Sequence, residues 1–185
     1  MGKLLENLNV TLLIGLAAAI GLMMGFHANT LTAVVLVTWL QVFFGILWIG
    51  LLYYFNFVQI PTMPAIPAEL KPGVSKYIAP NALFYFRWGA AFTVLTGALL
   101  AWSYGELVEG LTLRPEARLI GIGMWLALIM AFNVWFIIWP NQKRALGLVE
   151  ADDAAKAKSA RTAMITSRIN TMLSIPMLLA MTNAH

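Results

Sequence analysis

The stretch Trp39 to Gln59, WLQVFFGILWIGLLYYFNFVQ, decides the fold. It has about the length of a bilayer-spanning helix and carries no charged residue. Yet Gln41 stands near one end, and Asn56 and Gln59 stand near the other. Hydrocarbon does not solvate amides, so these side chains need partners supplied by protein. That requirement predicts an all-α membrane protein in which neighbouring helices meet them.

The rest of the chain agrees. It is 61% hydrophobic and 11% charged, with a mean hydropathy of +0.79. A soluble domain carries about 25% charged residues. The 185 residues suffice for a single membrane domain. The formal charge of +4 comes from basic residues lying between apolar runs, which read as topology signals and predict no nucleic-acid partner. The absence of cysteine excludes disulfides, thiolate metal sites and a covalent c-type haem, which requires CxxCH. No Walker, GxSxG or HExxH motif is present.

Five spans follow, at about 8–26, 31–58, 83–104, 119–139 and 164–181. The first reads as an uncleaved span, because Lys3 is offset by Glu6 and leaves little of a signal peptide's basic region. Ala17, Gly21 and Gly25, and again Gly97, Ala101 and Gly105, form small-residue ridges suited to close helix approach. Five prolines between 60 and 81 predict a loop or short interfacial segment, and Pro140 predicts the end of the fourth span. Residues 141–162 read as a polar surface helix. None of the spans contains Asp or Glu, which argues against a carboxylate proton relay through the bilayer.

If all five segments cross, one side receives Lys3, Lys71, Lys76, Arg87, Lys143, Arg144, Lys156, Lys158, Arg161 and Arg168. The other receives only Arg114 and Arg118. Ten against two predicts a cytoplasmic N-terminus, an external C-terminus, and loop 60–81 and helix 141–162 on the cytoplasmic side. There is also an internal echo. Phe55-Asn56 precedes Gln59 and Pro61, and Phe132-Asn133 precedes Pro140-Asn141-Gln142.

Two groups of residues are candidate sites. On the cytoplasmic half, Arg87, Asn56, Asn133 and Arg168 could converge with Gln59 on a quinone headgroup or small anion, with guanidinium donors and aromatic walls. The plainer reading is that the arginines reach the lipid phosphates and the amides join helices. On the outer half, His27 and His185 each have methionines at helical spacing, Met23 before the first and Met177 and Met181 before the second. Imidazole and thioether suit copper(I) or haem iron, while methionine also serves simply to fill gaps between helices.

Four blocks carry a family resemblance. They are WIGLLYYFNFVQ (48–59), ALFYFRWGAAFTVLTG (82–97), FNVWFIIWPNQKR (132–144) and SRINTMLSIPMLLAM (167–181). Together they resemble the membrane domain of bacterial cytochrome-linked urate hydroxylases, the urate oxidase N-terminal family, in order from Trp39 to His185. The resemblance implies a multi-pass protein of the bacterial inner membrane, oxidative chemistry, and a c-type cytochrome as electron acceptor. It also implies a histidine where Gln41 stands, whereas His185 fits the family pattern. The glutamine and the missing CxxCH favour a non-catalytic scaffold or accessory subunit, working as a homo-oligomer or with a membrane partner among lipids. The alternatives are a haem- or copper-binding protein serving a separate soluble cytochrome c, and a quinone- or anion-binding protein.

Overall fold

The computed structural model describes residues 5–27 and 33–183. Among these there is no strand, and five helices are long and apolar enough to cross a membrane. We number the helices α1 (Leu8–His27), α2 (Ala33–Ala65), α3 (Lys71–Ser103), α4 (Leu107–Leu111), α5 (Pro115–Ala145) and α6 (Asp153–Thr182). The chain divides into two compact units, Met1–Val37 and Thr38–His185.

The first unit contains α1. Asn7 starts this helix, its Oδ1 accepting from the backbone N–H groups of Asn9 and Val10 at 3.0 and 3.4 Å. Such a cap meets donors that a helix cannot satisfy internally. Gly21 and Gly25 are exposed, with nothing within 4 Å of where a side chain would begin.

The second unit is an antiparallel arrangement of α2, α3, α5 and α6. Along the α2–α3 pair, Gln41 lies against Thr96 and Gly97, Phe44 stacks on Phe92, and Trp48 lies against Gly89. Farther on, Phe55 meets Phe86 edge to face. The α3–α5 contact runs through Trp88 and Trp135, and the α5–α6 contact runs from Gly123 against Met181 to Asn133 against Asn170. The α2–α3 and α5–α6 pairs are therefore antiparallel, and α2 meets α6 in the same reversed order, Tyr53 by Ser174 and Asn56 by Ser167, which makes α2 and α5 parallel to one another. Trp48, Leu52, Leu83, Phe86, Met130 and Val134 are almost wholly buried where these helices meet.

The prolines behave differently from expectation. The helices pass through Pro61, Pro80 and Pro140. Widened (π) turns at Tyr54–Gln59, Val74–Ile78 and Asn133–Ile138 each end two residues before a proline. In each, the residue just before the proline donates to the carbonyl five positions back: Ile60 to Phe55, Ala79 to Val74, and Trp139 to Val134. A proline has no N–H to give, and its ring collides with the carbonyl four residues earlier. The wider turn ahead of it makes room for the ring without ending the helix.

Three sequence expectations are corrected as a result. The break expected across 60–81 is reduced to residues 66–70. The fourth span continues through Pro140 to Ala145. The helix expected at 141–162 is two pieces, because residues 146–152 turn and residues 153–182 form one helix, capped by Asp152 through Ala155 N–H at 2.6 Å. Gly105 is also not a packing residue. At φ +74° it terminates α3, with Glu106 N–H reaching Ala101 O at 2.8 Å, as Gly147 terminates α5 with Leu148 N–H on Lys143 O at 2.9 Å. Both are helix stops that need a left-handed residue.

Candidate functional site

The polar side chains inside the second unit gather on α6. Ser167, Asn170 and Ser174 are three and four residues apart, the spacing that aligns side chains along one helical face. Asn56, in the π turn of α2, donates through Nδ2 to Leu52 O at 2.9 Å and to Ser167 Oγ at 2.8 Å. Asn133, which opens the π turn of α5, donates through Nδ2 to Asn170 Oδ1 at 2.8 Å. Asn170 in turn donates to Met130 O at 2.9 Å. Farther along, the Tyr53 hydroxyl and Ser174 Oγ are 3.0 Å apart, and Ser174 gives its own proton to Thr171 O at 2.7 Å. That leaves the tyrosine as donor in the pair.

Hence the two Phe-Asn pairs of the sequence occupy equivalent places. Each asparagine lies in a π turn, on one of two parallel helices, and reaches the same face of α6. The ladder is buried, with Asn170 and Ser174 at 0% exposure. Its bonds stitch α2 and α5 to α6, and most of its hydrogen-bonding capacity is spent on the helices themselves. Asn56 Oδ1 is the exception, buried and without a donor, as is Gln59 Oε1 outside the ladder.

Arg87 is held apart from this ladder. Its guanidinium carbon stacks 3.3 Å from the ring centroid of Trp139 and lies 5.9 Å from that of Trp135. Both rings follow from the Asn133–Ile138 π turn, so one irregularity in α5 supports the Asn133 contact on one side and the Arg87 contact on the other. Lys143, one turn on, lies with its Nζ 5.6 Å from the Trp139 centroid. Arg87 Nε and Nη1 are buried without a hydrogen-bond acceptor. The ion pairs among the described residues, Arg114 with Glu109 and Lys156 with Asp153, both lie elsewhere.

Of the four candidates that the sequence groups together, then, Asn56 and Asn133 share the α6 ladder, Arg87 stands with tryptophans, and Arg168 is exposed. Ser167, Asn170, Ser174 and Tyr53 are not among the site residues that the sequence predicts. The three-and-four spacing of polar residues in an apolar helix was the available signal. Two open surface hollows, about 540 and 440 Å³, are lined by residues of the α5–α6 turn and by a group around Met63, Lys71 and Met164. Neither is lined by Arg87 or by the ladder.

A family model described as urate oxidase N-terminal matches residues 101–185. Over this stretch, a little under half of the chain, the sequence is similar to the urate oxidase N-terminal family. No curated protein and no solved structure matches the chain. The stretch matched to the urate oxidase N-terminal family carries α5 and α6, and with them Asn133, Trp135, Trp139 and Asn170. Gln41, Asn56 and Arg87 lie before it.

Gln41 has a packing role. Thr96 Oγ1 donates to its Oε1, and its Nε2 sits 3.2 Å from the point where a Cβ on Gly97 would be. On the proposed metal side, His185 and the side chain of His27 lie outside the described residues. Met23 is partly buried. Met181 packs against Gly123, its Cε and Cγ 3.3 Å from the position of an added Cβ, and Met177 is buried in the core. Among the described residues no three His, Cys, Asp or Glu side chains cluster as a metal site.

Proposed function

We propose that this chain is a membrane-embedded scaffold or accessory subunit of an oxidative or respiratory membrane system. In this reading the N-terminus and the basic connections are cytoplasmic, and the protein assembles with copies of itself or with a membrane partner. The observation that carries the reading is the use made of the buried amides. Asn56, Asn133 and Asn170 bond helix to helix, the ordinary task of amides in membrane bundles. Gln41, at the position where the family resemblance implies a histidine, is likewise occupied by Thr96. The exposed Gly21 and Gly25 offer a surface on which another helix could approach closely.

The test is purification from native membranes in mild detergent, with mass, absorption spectrum and metal content measured on one sample. The expected particle is larger than the 20.4 kDa protomer and carries neither haem absorption nor stoichiometric copper. A strictly monomeric particle removes the scaffold reading. A haem band or bound copper would instead favour the redox alternative built on His27, His185, Met23 and Met181.

A further inference from the structure

Arg87 lies four residues into the apolar run that begins at Leu83, well inside α3. A guanidinium there has lost much of its water and needs compensation. Trp139 provides part of it through its ring face. Aromatic contact does not use the guanidinium donors, of which there are five in a planar fork. Nε and Nη1, which carry three of them, are buried without an acceptor, and among the described residues no carboxylate pairs with the group. The side chain as a whole is only partly buried.

The surroundings select the sign and kind of ligand. Lys143 brings a second cation to the same indole, also without an ion-pair partner. Because α2 and α5 are parallel, the α2–α3 and α5–α6 connections lie at one end of the bundle. Residues 60–82 and 140–162, which contain them, carry seven basic and four acidic residues. A neutral carbonyl ligand would leave two positive charges uncompensated. An oxyanion compensates them, and several oxygens around one centre match a guanidinium fork plus an ammonium. Arginine at the edge of an apolar run, below a basic surface, is also placed where lipid phosphates lie.

We propose that Arg87, Trp139 and Lys143 form a binding site for a phosphate oxyanion, supplied by the phosphodiester of an anionic lipid or by free phosphate. The site is independent of the scaffold reading, since it would serve equally in a redox protein.

The experiment uses the full chain in neutral detergent and follows tryptophan fluorescence and thermal unfolding. Short-chain phosphatidylglycerol, short-chain phosphatidylcholine and inorganic phosphate are titrated separately. A saturable response to phosphatidylglycerol that is much weaker with phosphatidylcholine assigns the lipid source. A saturable response to inorganic phosphate assigns the free ion, and also supports the site. Arg87→Gln is expected to weaken the response at least tenfold, and Lys143→Gln several-fold. Should Arg87→Gln not fold, Lys143→Gln and Arg87→Lys carry the test. The proposal is overturned by the absence of any saturable response, or by a response that is unchanged when Lys143 or Arg87 is replaced.

Discussion

Asn133 and Asn170 meet amide to amide at 2.8 Å, and Asn170 passes the bond on to the Met130 carbonyl of the same partner helix. Asn170 thus closes a clip on one turn of α5 from a position with no exposure. Asn170→Leu fills a similar volume but strands the Asn133 amide and takes one donor from the Met130 carbonyl. The expected cost is about 1–3 kcal/mol, the range for leaving a buried polar group unpaired. Unfolding in mixed detergent measures it. A double-mutant cycle with Asn133→Leu is expected to show coupling, and additive costs would contradict the clip.

Among the described glycines, the closest approach to backbone is that of Gly121 in α5 to Gly110 in α4. A Cβ on Gly121 would stand 2.2 Å from Gly110 O, with backbone on one side and Leu113 on the other. Gly121→Ala must therefore displace α4, at about 1–3 kcal/mol for overpacking. Gly50→Ala, where nothing lies within 4 Å, is the matched control and is expected to change stability by less than about 0.5 kcal/mol. Thermal unfolding of the two variants side by side distinguishes local crowding from a general effect of alanine.

Hydropathy made the five apolar segments legible, because bilayer thickness fixes how long such a run must be. The unsolvated amides in Trp39–Gln59 announced interhelical bonds, and the repeated Phe-Asn pair marked two turns that prove equivalent in place. The prolines misled, since a proline argues against an α-turn but says nothing of the wider turn that can precede it. Asn170 was visible as a polar residue in a span, yet its partners depend on the register between α5 and α6. The Arg87 stack on Trp139 depends in the same way on the register between α3 and α5. No local pattern in either segment encodes it.

Trp139 is the ring on which two cations rest. Trp139→Leu keeps an apolar side chain but removes the π face, and is expected to destabilise by about 0.5–2 kcal/mol. Trp139→Phe retains a face and should recover part of that loss. Equal destabilisation by the two replacements would mean that size, rather than cation–π contact, governs the position.

Gln41 contrasts with Asn170. Its partner, Thr96, also has the Phe92 carbonyl 2.7 Å from its hydroxyl, so losing the amide does not strand it. Gln41→Leu is expected to cost less than about 1 kcal/mol, at the small end for interhelical hydrogen bonds in membranes. A cost matching that of Asn170→Leu, measured under the same unfolding conditions, would show that Gln41 is as essential as the ladder.

Among the four long helices of the second unit, α6 is the least apolar and has the largest buried share. Its serines and Asn170 are comfortable only where α2 and α5 already present Asn56, Tyr53 and Asn133. Lipid by itself gives this helix a weak reason to enter the bilayer. Its insertion therefore depends on helices made earlier in the chain, and α6 is the helix that completes this bundle. A lesion in α2 or α5 would consequently appear first as a failure of α6 to stay in the membrane, far along the sequence from the residue that was changed.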